Sequence, residues 1–395
     1  MAYVAVTGGQ EAIAQAEQLT QYYRLKGANV ELPVEAIEKQ MRLLVDRILS
    51  EGGMYAPAYA ALALKQAEGD PSEAAFLIRA YRSTLPRNHY SLTVEPSDMR
   101  IIRRISSSFR DIPGGQLLGP TVDYTHRLLK FSLKEENEDE IRGFMERFLG
   151  EAAAKAPTDT AHSGVEEHVS LTFAKVADLL REQGLMRKPE FAGEAEPFDI
   201  TRQKLNFPAP RSARLQTLSR GETGAMTALA YSSMRGYGAV HPTIGELRVG
   251  YAPVHIPYPL EEGADDAEGI YIGEVLLTEV ESINSFTQDK ESGEVQFLLG
   301  YGLCFGQNEL KAIAMAILER SLETSGLAPA QDEEFVLIHI DSVESAGFVS
   351  HLKLPHYITF QSALDRIRDT QSRFEMKKKE GQYNANASEL QTSGI

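Results

Sequence analysis

Two of the nine histidines in this 395-residue chain, His351 and His356, lie in Gly347-Phe-Val-Ser-His351-Leu-Lys-Leu-Pro355-His356-Tyr357. On a helix, a five-residue step turns the second side chain well off the first face. On a strand, an odd step sends it to the opposite face. Pro355 disfavours helix at Leu354 and lacks a ladder donor. The chain is therefore expected to turn between the histidines, and a turn can bring two imidazoles together around a metal ion or an anion. Their spacing lies in the range used by paired zinc histidines. Two ligands do not complete a site, so the others must come from elsewhere in the chain or from another protein.

Other constellations suggest anion chemistry. Arg110-Asp-Ile-Pro-Gly114-Gly115, running on through Gly119 to His126 and Arg127, combines glycines, hydroxyls and two arginines, with Arg100, Arg103 and Arg104 upstream. A glycine turn before a helix start can aim backbone N–H groups at an anion, with guanidinium groups closing the cradle. The plainer reading is a connecting loop whose arginines pair with the chain's own carboxylates. Arg211 and Arg214 form a second basic knot near Arg220, followed by Tyr231, Arg235, Gly236, Tyr237, Gly238 and His241. An aromatic face beside arginines suits a nucleobase and its phosphates; otherwise this is an exposed connector.

Asp332, Glu333 and Glu334 precede an apolar run carrying His339. Carboxylates at a strand mouth can serve as general acids or stabilise a cationic sugar; more commonly they form a solvated turn. His339 reads as a hydrogen-bonded core residue, and His89, His162 and His168 sit in polar contexts. Gly300-Tyr-Gly302-Leu-Cys-Phe-Gly306 misses the dinucleotide fingerprint, and the chain holds no Gly-Lys dipeptide, which excludes a P-loop. Close strand–helix packing explains those glycines, with Cys304 as a buried small residue.

A net charge of −16 argues against a general affinity for nucleic acid or anionic membrane. The single cysteine excludes an internal disulfide framework and any Cys-rich metal motif supplied by this chain alone. No signal peptide and no membrane-spanning apolar run is read, so a cytoplasmic location is expected.

The elements that must position these residues read as α+β, a mainly helical N-terminal region followed by a mixed or antiparallel sheet with packed helices. A strand at Tyr3–Val6 leads into a helix to about Leu25. Val34, Ile37, Met41, Leu44, Val45 and Ile48 recur at helical steps and predict one helix over 34–50, stopped by Gly52-Gly53. Helices follow near 57–67 and from Pro71 to about Leu85, the latter capped by Asp70. Glu246–Val254, Gly269–Asn284 and Glu294–Phe305 read as strands, Asn308–Leu322 as a helix and Glu334–Ile340 as a further strand. The expected divisions are a helical region at 1–133, an acidic and mobile insertion with one or two surface helices at 134–200, an α+β core at 201–345, and a histidine-bearing hook, helix and disordered tail at 346–395.

Several segments resemble the PhnI family, core subunits of bacterial carbon–phosphorus lyase. They are Val45-Asp-Arg-Ile with Glu51-Gly-Gly53, Ala61–Ala67, Ile112–Pro120 through Tyr124–Arg127, Ala228–Ser232 with Arg235–Gly238, Pro329–Val336 and Ala346–Tyr357. The acidic insertion and long tail depart from the pattern. The resemblance implies a subunit of α-D-ribose 1-methylphosphonate 5-triphosphate synthase that displaces adenine from MgATP with an alkylphosphonate, and acts as a purine nucleosidase when alone. It implies PhnG-, PhnH-, PhnJ- and PhnL-like partners, two copies per complex, and a zinc ion held by His351 and His356 against the PhnJ-like subunit. Residue chemistry, rather than the family, nominates Asp332, Glu333 and Glu334 for the carboxylate role. It also nominates Arg110, Gly114, Gly115, His126, Arg127, Arg211 and Arg214 for phosphates and Tyr237 for the base. The rivals are a scaffold subunit contributing an interface zinc site and an autonomous metallohydrolase.

Overall fold

A computed structural model describes residues 9–28, 30–155, 173–186, 196–235, 241–258, 269–288 and 293–392. The expected strand at Tyr3–Val6, and Tyr237, His162 and His168, lie outside them. The fold is α+β, and the chain forms two compact units: Arg24–Asp341, and Met1–Tyr23 with Ser342–Ile395.

The helix α1 (Gln10–Leu25) has no buried residue. In the larger unit the stripe expected to make one helix over 34–50 makes two, α2 (Val34–Gln40) and α3 (Arg42–Gly52). Met41, at φ −110° and ψ 35°, leaves helical geometry and redirects the chain. The bend lets α2 pack mainly on α4 (Pro57–Gln66) while α3 packs mainly on α5 (Pro71–Thr84). Ile37, Val45, Ile48, Leu49, Leu64 and Ile78 fill this helical core. Asp70 caps α5, accepting from the amides of Ser72 (2.8 Å) and Glu73 (3.1 Å).

A strand not anticipated, β1 (Arg100–Ile105), follows. Next come α6 (Glu138–Lys155), α7 (Val176–Glu182), α8 (Arg211–Arg220) and α9 (Thr223–Arg235). The second helix of the acidic stretch is not a surface helix: Val176, Ala177 and Leu180 are buried, and Ala177 and Leu180 pack with Ile283 and Leu299. The long strands β2 (Thr243–Ile256), β3 (Ile270–Gln288) and β4 (Val295–Phe305) complete an antiparallel sheet of order β1-β2-β3-β4.

The two faces of this sheet differ because successive side chains alternate. One presents Leu247, Val249, Val280 and Cys304 to α10 (Glu309–Ser321). A Cβ on Gly302 would lie 2.1 Å from the Ala312 carbonyl oxygen, and one on Gly300 2.1 Å from that of Ala316. These glycines therefore let the helix backbone lie directly on β4, the close packing read from the sequence. The other face carries a buried ionic layer. Arg104 pairs with Glu246 (2.5 Å), Arg248 with Glu279, and Lys175 with Glu279 (2.7 Å), while the Tyr301 hydroxyl donates to Glu279 (3.1 Å). Burial opposes ionisation of Glu279, but Arg248 and Lys175 outweigh it and hold its carboxyl below the usual range.

The expected strand Glu334–Ile340 is instead α11 (Glu333–His339). Asp332 caps it, its side chain accepting from the Phe335 amide at 2.9 Å, and Val336, Leu337 and Ile340 then bury one helical face. His339 consequently points outward, its Nδ1 bonded to the Phe335 carbonyl at 2.7 Å, and is not a core residue. The smaller unit holds α12 (Ser342–His351) and α13 (Tyr357–Thr392). The tail expected to be disordered from Glu380 continues as helix through Thr392. With no proline to break it, each added residue extends an existing turn at little cost.

Candidate functional site

The histidine turn forms within the smaller unit. Helix α12 ends at His351, Pro355 prevents its continuation, and α13 begins one residue after His356. The imidazole rings come together in a tilted arrangement, with centroids 5.3 Å apart and planes inclined by 53°. The Phe348 ring meets His351 edge-on at 4.9 Å. Each Nδ1 lies against a backbone carbonyl, His351 on Phe348 and His356 on Leu354 (2.6 Å). A carbonyl oxygen can only accept, so both Nδ1 atoms donate and a neutral ring keeps its lone pair on Nε2. That is the tautomer that ligation through Nε2 requires, oriented by backbone partners. The donor set thus fits half of a zinc coordination sphere. Among the described residues no group of three or more His, Cys, Asp or Glu side chains is placed to hold a metal. Phe348 (71% exposed) and Ile358 (89%) flank the pair with open apolar surface, together with Val349, Leu352, Tyr357 and Phe360.

In the larger unit the nominated anion binders are dispersed. Arg110 is exposed and pairs with its neighbour Asp111 at 2.8 Å. Gly114 and Gly115 have φ values of 76° and 77°, but no α-helix starts behind them. Instead Leu117 exchanges backbone hydrogen bonds with Arg104, and the Arg104 guanidinium takes the Pro113 carbonyl. The turn therefore offers carbonyls to an internal cation. His126 is exposed, and Arg127 pairs with Asp123 at 3.1 Å. Arg211 pairs with Glu319 at 2.8 Å, whereas Arg214 and Glu333 come together at 3.5 Å. Glu333 also accepts from the Ala209 amide at 3.1 Å. Of the proposed carboxylates, then, Asp332 is a helix cap, Glu333 is neutralised and Glu334 is exposed.

A cleft of about 520 Å³ lies elsewhere in this unit, lined by Arg42, Arg47, residues 120–123, Thr223 and residues 307–311. Behind it Glu51 is 0% exposed. Its Oε1 accepts from Arg47 Nε (2.8 Å) and from the amide (3.2 Å) and hydroxyl (3.1 Å) of Thr223, while Oε2 has no hydrogen-bond partner among the described residues. Lys311, also 0% exposed, donates from Nζ to Ser50 Oγ at 2.7 Å. Burial pulls its ammonium down to about 8. Asp46, whose carboxyl burial pushes up, accepts from the Gln307 amide at 3.0 Å. None of these residues was singled out for chemistry from the sequence. The available signal was Glu51, a carboxylate falling on the next step of the apolar stripe through Val45 and Ile48.

The model of the bacterial phosphonate metabolism protein family (PhnI) matches residues 2–374. The chain belongs to the PhnI family. It is 51% identical over 381 residues to a putative C-P lyase subunit protein, HtxH, of Stutzerimonas stutzeri, covering 94% of this chain and 97% of that protein. It is 46% identical to the α-D-ribose 1-methylphosphonate 5-triphosphate synthase subunit PhnI of Escherichia coli (93% and 98% covered). Identity to the protein of the same name from Rhizobium meliloti is 42% (93% and 94%). The relatives are thus subunits, and the chain spans nearly all of each. Among the described residues no helix is long and apolar enough to cross a membrane.

Proposed function

We propose that this chain is the PhnI subunit of an α-D-ribose 1-methylphosphonate 5-triphosphate synthase in phosphonate breakdown. The near full-length identity to two proteins of that name carries the reading. A phosphonate oxygen attacks the anomeric carbon of MgATP, forming the C1′–O bond. The C1′–N9 bond breaks, and its electron pair leaves with adenine, which takes up a proton. Such a step needs negative charge near the oxocarbenium-like sugar and cations to hold triphosphate and phosphonate in line. With water in place of phosphonate, the chain alone acts as a purine nucleosidase.

His351 and His356 hold a zinc ion together with ligands from a PhnJ-like partner, and PhnG-, PhnH- and PhnL-like subunits complete the assembly. The paired Nε2 lone pairs and the surrounding exposed apolar side chains support this. Zinc there would supply a fixed divalent charge at the junction. A chain confined to scaffolding would show the same rim, but would release no base.

The test is the complex of this chain with its companion subunits, given MgATP and methylphosphonate. Adenine release by chromatography, with a new ribosyl phosphonate signal by phosphorus NMR, is expected. A correctly assembled complex that releases no adenine overturns the proposal. Alanine at Asp332, Glu333 and Glu334 in turn tests the carboxylate role; unchanged rates in all three remove it.

A further inference from the structure

In a chain with net charge −16, cations are normally paired, and most of those near the 520 Å³ cleft are. Its wall carboxylates are neutralised from behind. Asp123 pairs with Arg103 (2.5 Å) and Arg127 (3.1 Å), and Glu309 with Arg103 (3.0 Å). Arg47 is shared between Glu51 and Glu222. Two lining cations are exceptions. Arg42 makes its contact with the Gln307 side-chain oxygen, and Lys311 with the Ser50 hydroxyl; among the described residues neither has a carboxylate within ion-pair distance. Glu309, Leu310 and Lys311, all in the lining, form the first turn of a 13-residue helix, whose amides have no partner inside the helix. Thr121, Thr223 and Asn308 add neutral polar groups to the lining.

Two cations without a direct carboxylate contact, Arg42 facing Asp46 and Lys311 facing Glu51 only at longer range, thus gather with a helix start in one concavity. We propose that this cleft binds the polyphosphate of a nucleoside triphosphate, with Arg42 as its direct side-chain phosphate contact and the buried Lys311 adding positive charge from behind the wall. Arg47 and Thr223 are held in register from behind by Glu51, which acts as a positioning residue. The volume accommodates more than a triphosphate and leaves space for a sugar. The nucleotide part of the assignment rests on the synthase reading above, whereas the anion chemistry does not. The cleft lies wholly within the larger unit, so its binding does not draw on the histidine turn.

Calorimetric titration of the full chain with inorganic tripolyphosphate and with MgATP separates the parts. Arg42 is exposed, so Arg42→Gln is expected to leave the melting temperature unchanged while weakening both ligands about tenfold. Lys311→Met is expected to weaken both as well, and His351→Ala with His356→Ala to change neither affinity. MgATP binding more tightly than tripolyphosphate assigns a nucleotide; equal affinities overturn that assignment and leave a bare polyphosphate site. Wild-type affinity for both ligands in Arg42→Gln and Lys311→Met overturns the cleft altogether, even where the complex still releases adenine. Arg42-dependent binding without adenine release keeps the cleft and sinks the synthase reading instead.

Discussion

Around His351 and His356 the neighbouring side chains face outward, and within α12 Val343 is the buried residue. Around Lys311 the reverse holds. Lys311, Glu51 and Ser50 are buried, and α9 and α10 both donate hydrogen bonds to α3. Both places assemble polar groups, but they draw differently on the rest of the chain. The turn needs two backbone carbonyls and a proline, all within ten residues. The cleft needs helices and loops more than two hundred residues apart in sequence. A pair set by adjacent residues can be local, whereas a cleft assembled from distant elements depends on the whole core.

Substitutions separate the two cases by their effect on stability. The largest loss is expected from Glu51→Ala, which strips the Thr223 amide of its acceptor and the buried Lys311 of its nearby carboxylate, while Arg47 keeps Glu222. Breaking such a buried pair costs about 3–5 kcal/mol, read by urea denaturation of the isolated chain. A loss below 1 kcal/mol would mean the cleft is not wired through the core. Next comes Gly302→Ala, whose added methyl group meets the Ala312 carbonyl. Overpacking of this kind costs roughly 1–3 kcal/mol and displaces the start of α10.

Smaller still is the effect of pH on Lys311. Burial lowers its folded value to about 8, while the unfolded side chain keeps its proton up to about 10.5. The unfolded state therefore binds more protons between these values, and this group's contribution to stability rises with pH across that window. The Cys304 thiol, which burial pushes up to about 11, works the other way above its ordinary value near 9. In a Cys304→Ala background the deficit relative to Lys311→Met should shrink from pH 7.5 to pH 10; a constant difference would contradict the shifted lysine. Least affected should be the double variant His351→Ala with His356→Ala. Its melting should match wild type within about 0.5 kcal/mol, since His356 is exposed and His351 only half-buried. Metal analysis of the assembled complex should nevertheless show zinc missing. Unfolding of that variant would assign the pair to the chain's own stability.

What could be read from the sequence follows the same division. Pro355 and the five-residue step specify a turn locally, and Gly300 and Gly302 mark a close approach to the following helix. The cleft had no local signature, because Arg42, Asp123, Thr223 and Lys311 converge only after folding. β1 escaped notice because Arg103 and Arg104 hide its apolar neighbours, and the carboxylates that bury them sit on other elements. Asp332 was open to two readings, since a carboxylate before an apolar run serves a helix start as readily as a reaction. The apolar run Phe-Val-Leu-Ile suggested a strand until that cap was seen to be made.

The 36-residue helix α13 extends about 54 Å from the histidine turn. Its root is His356, and Pro355 fixes the backbone angle just before it. Gripping this rod anywhere along its shaft would steer the imidazole at its base, as a tiller sets a rudder. An assembly holding the distal end would thus be adjusting where the Nε2 of that ring points.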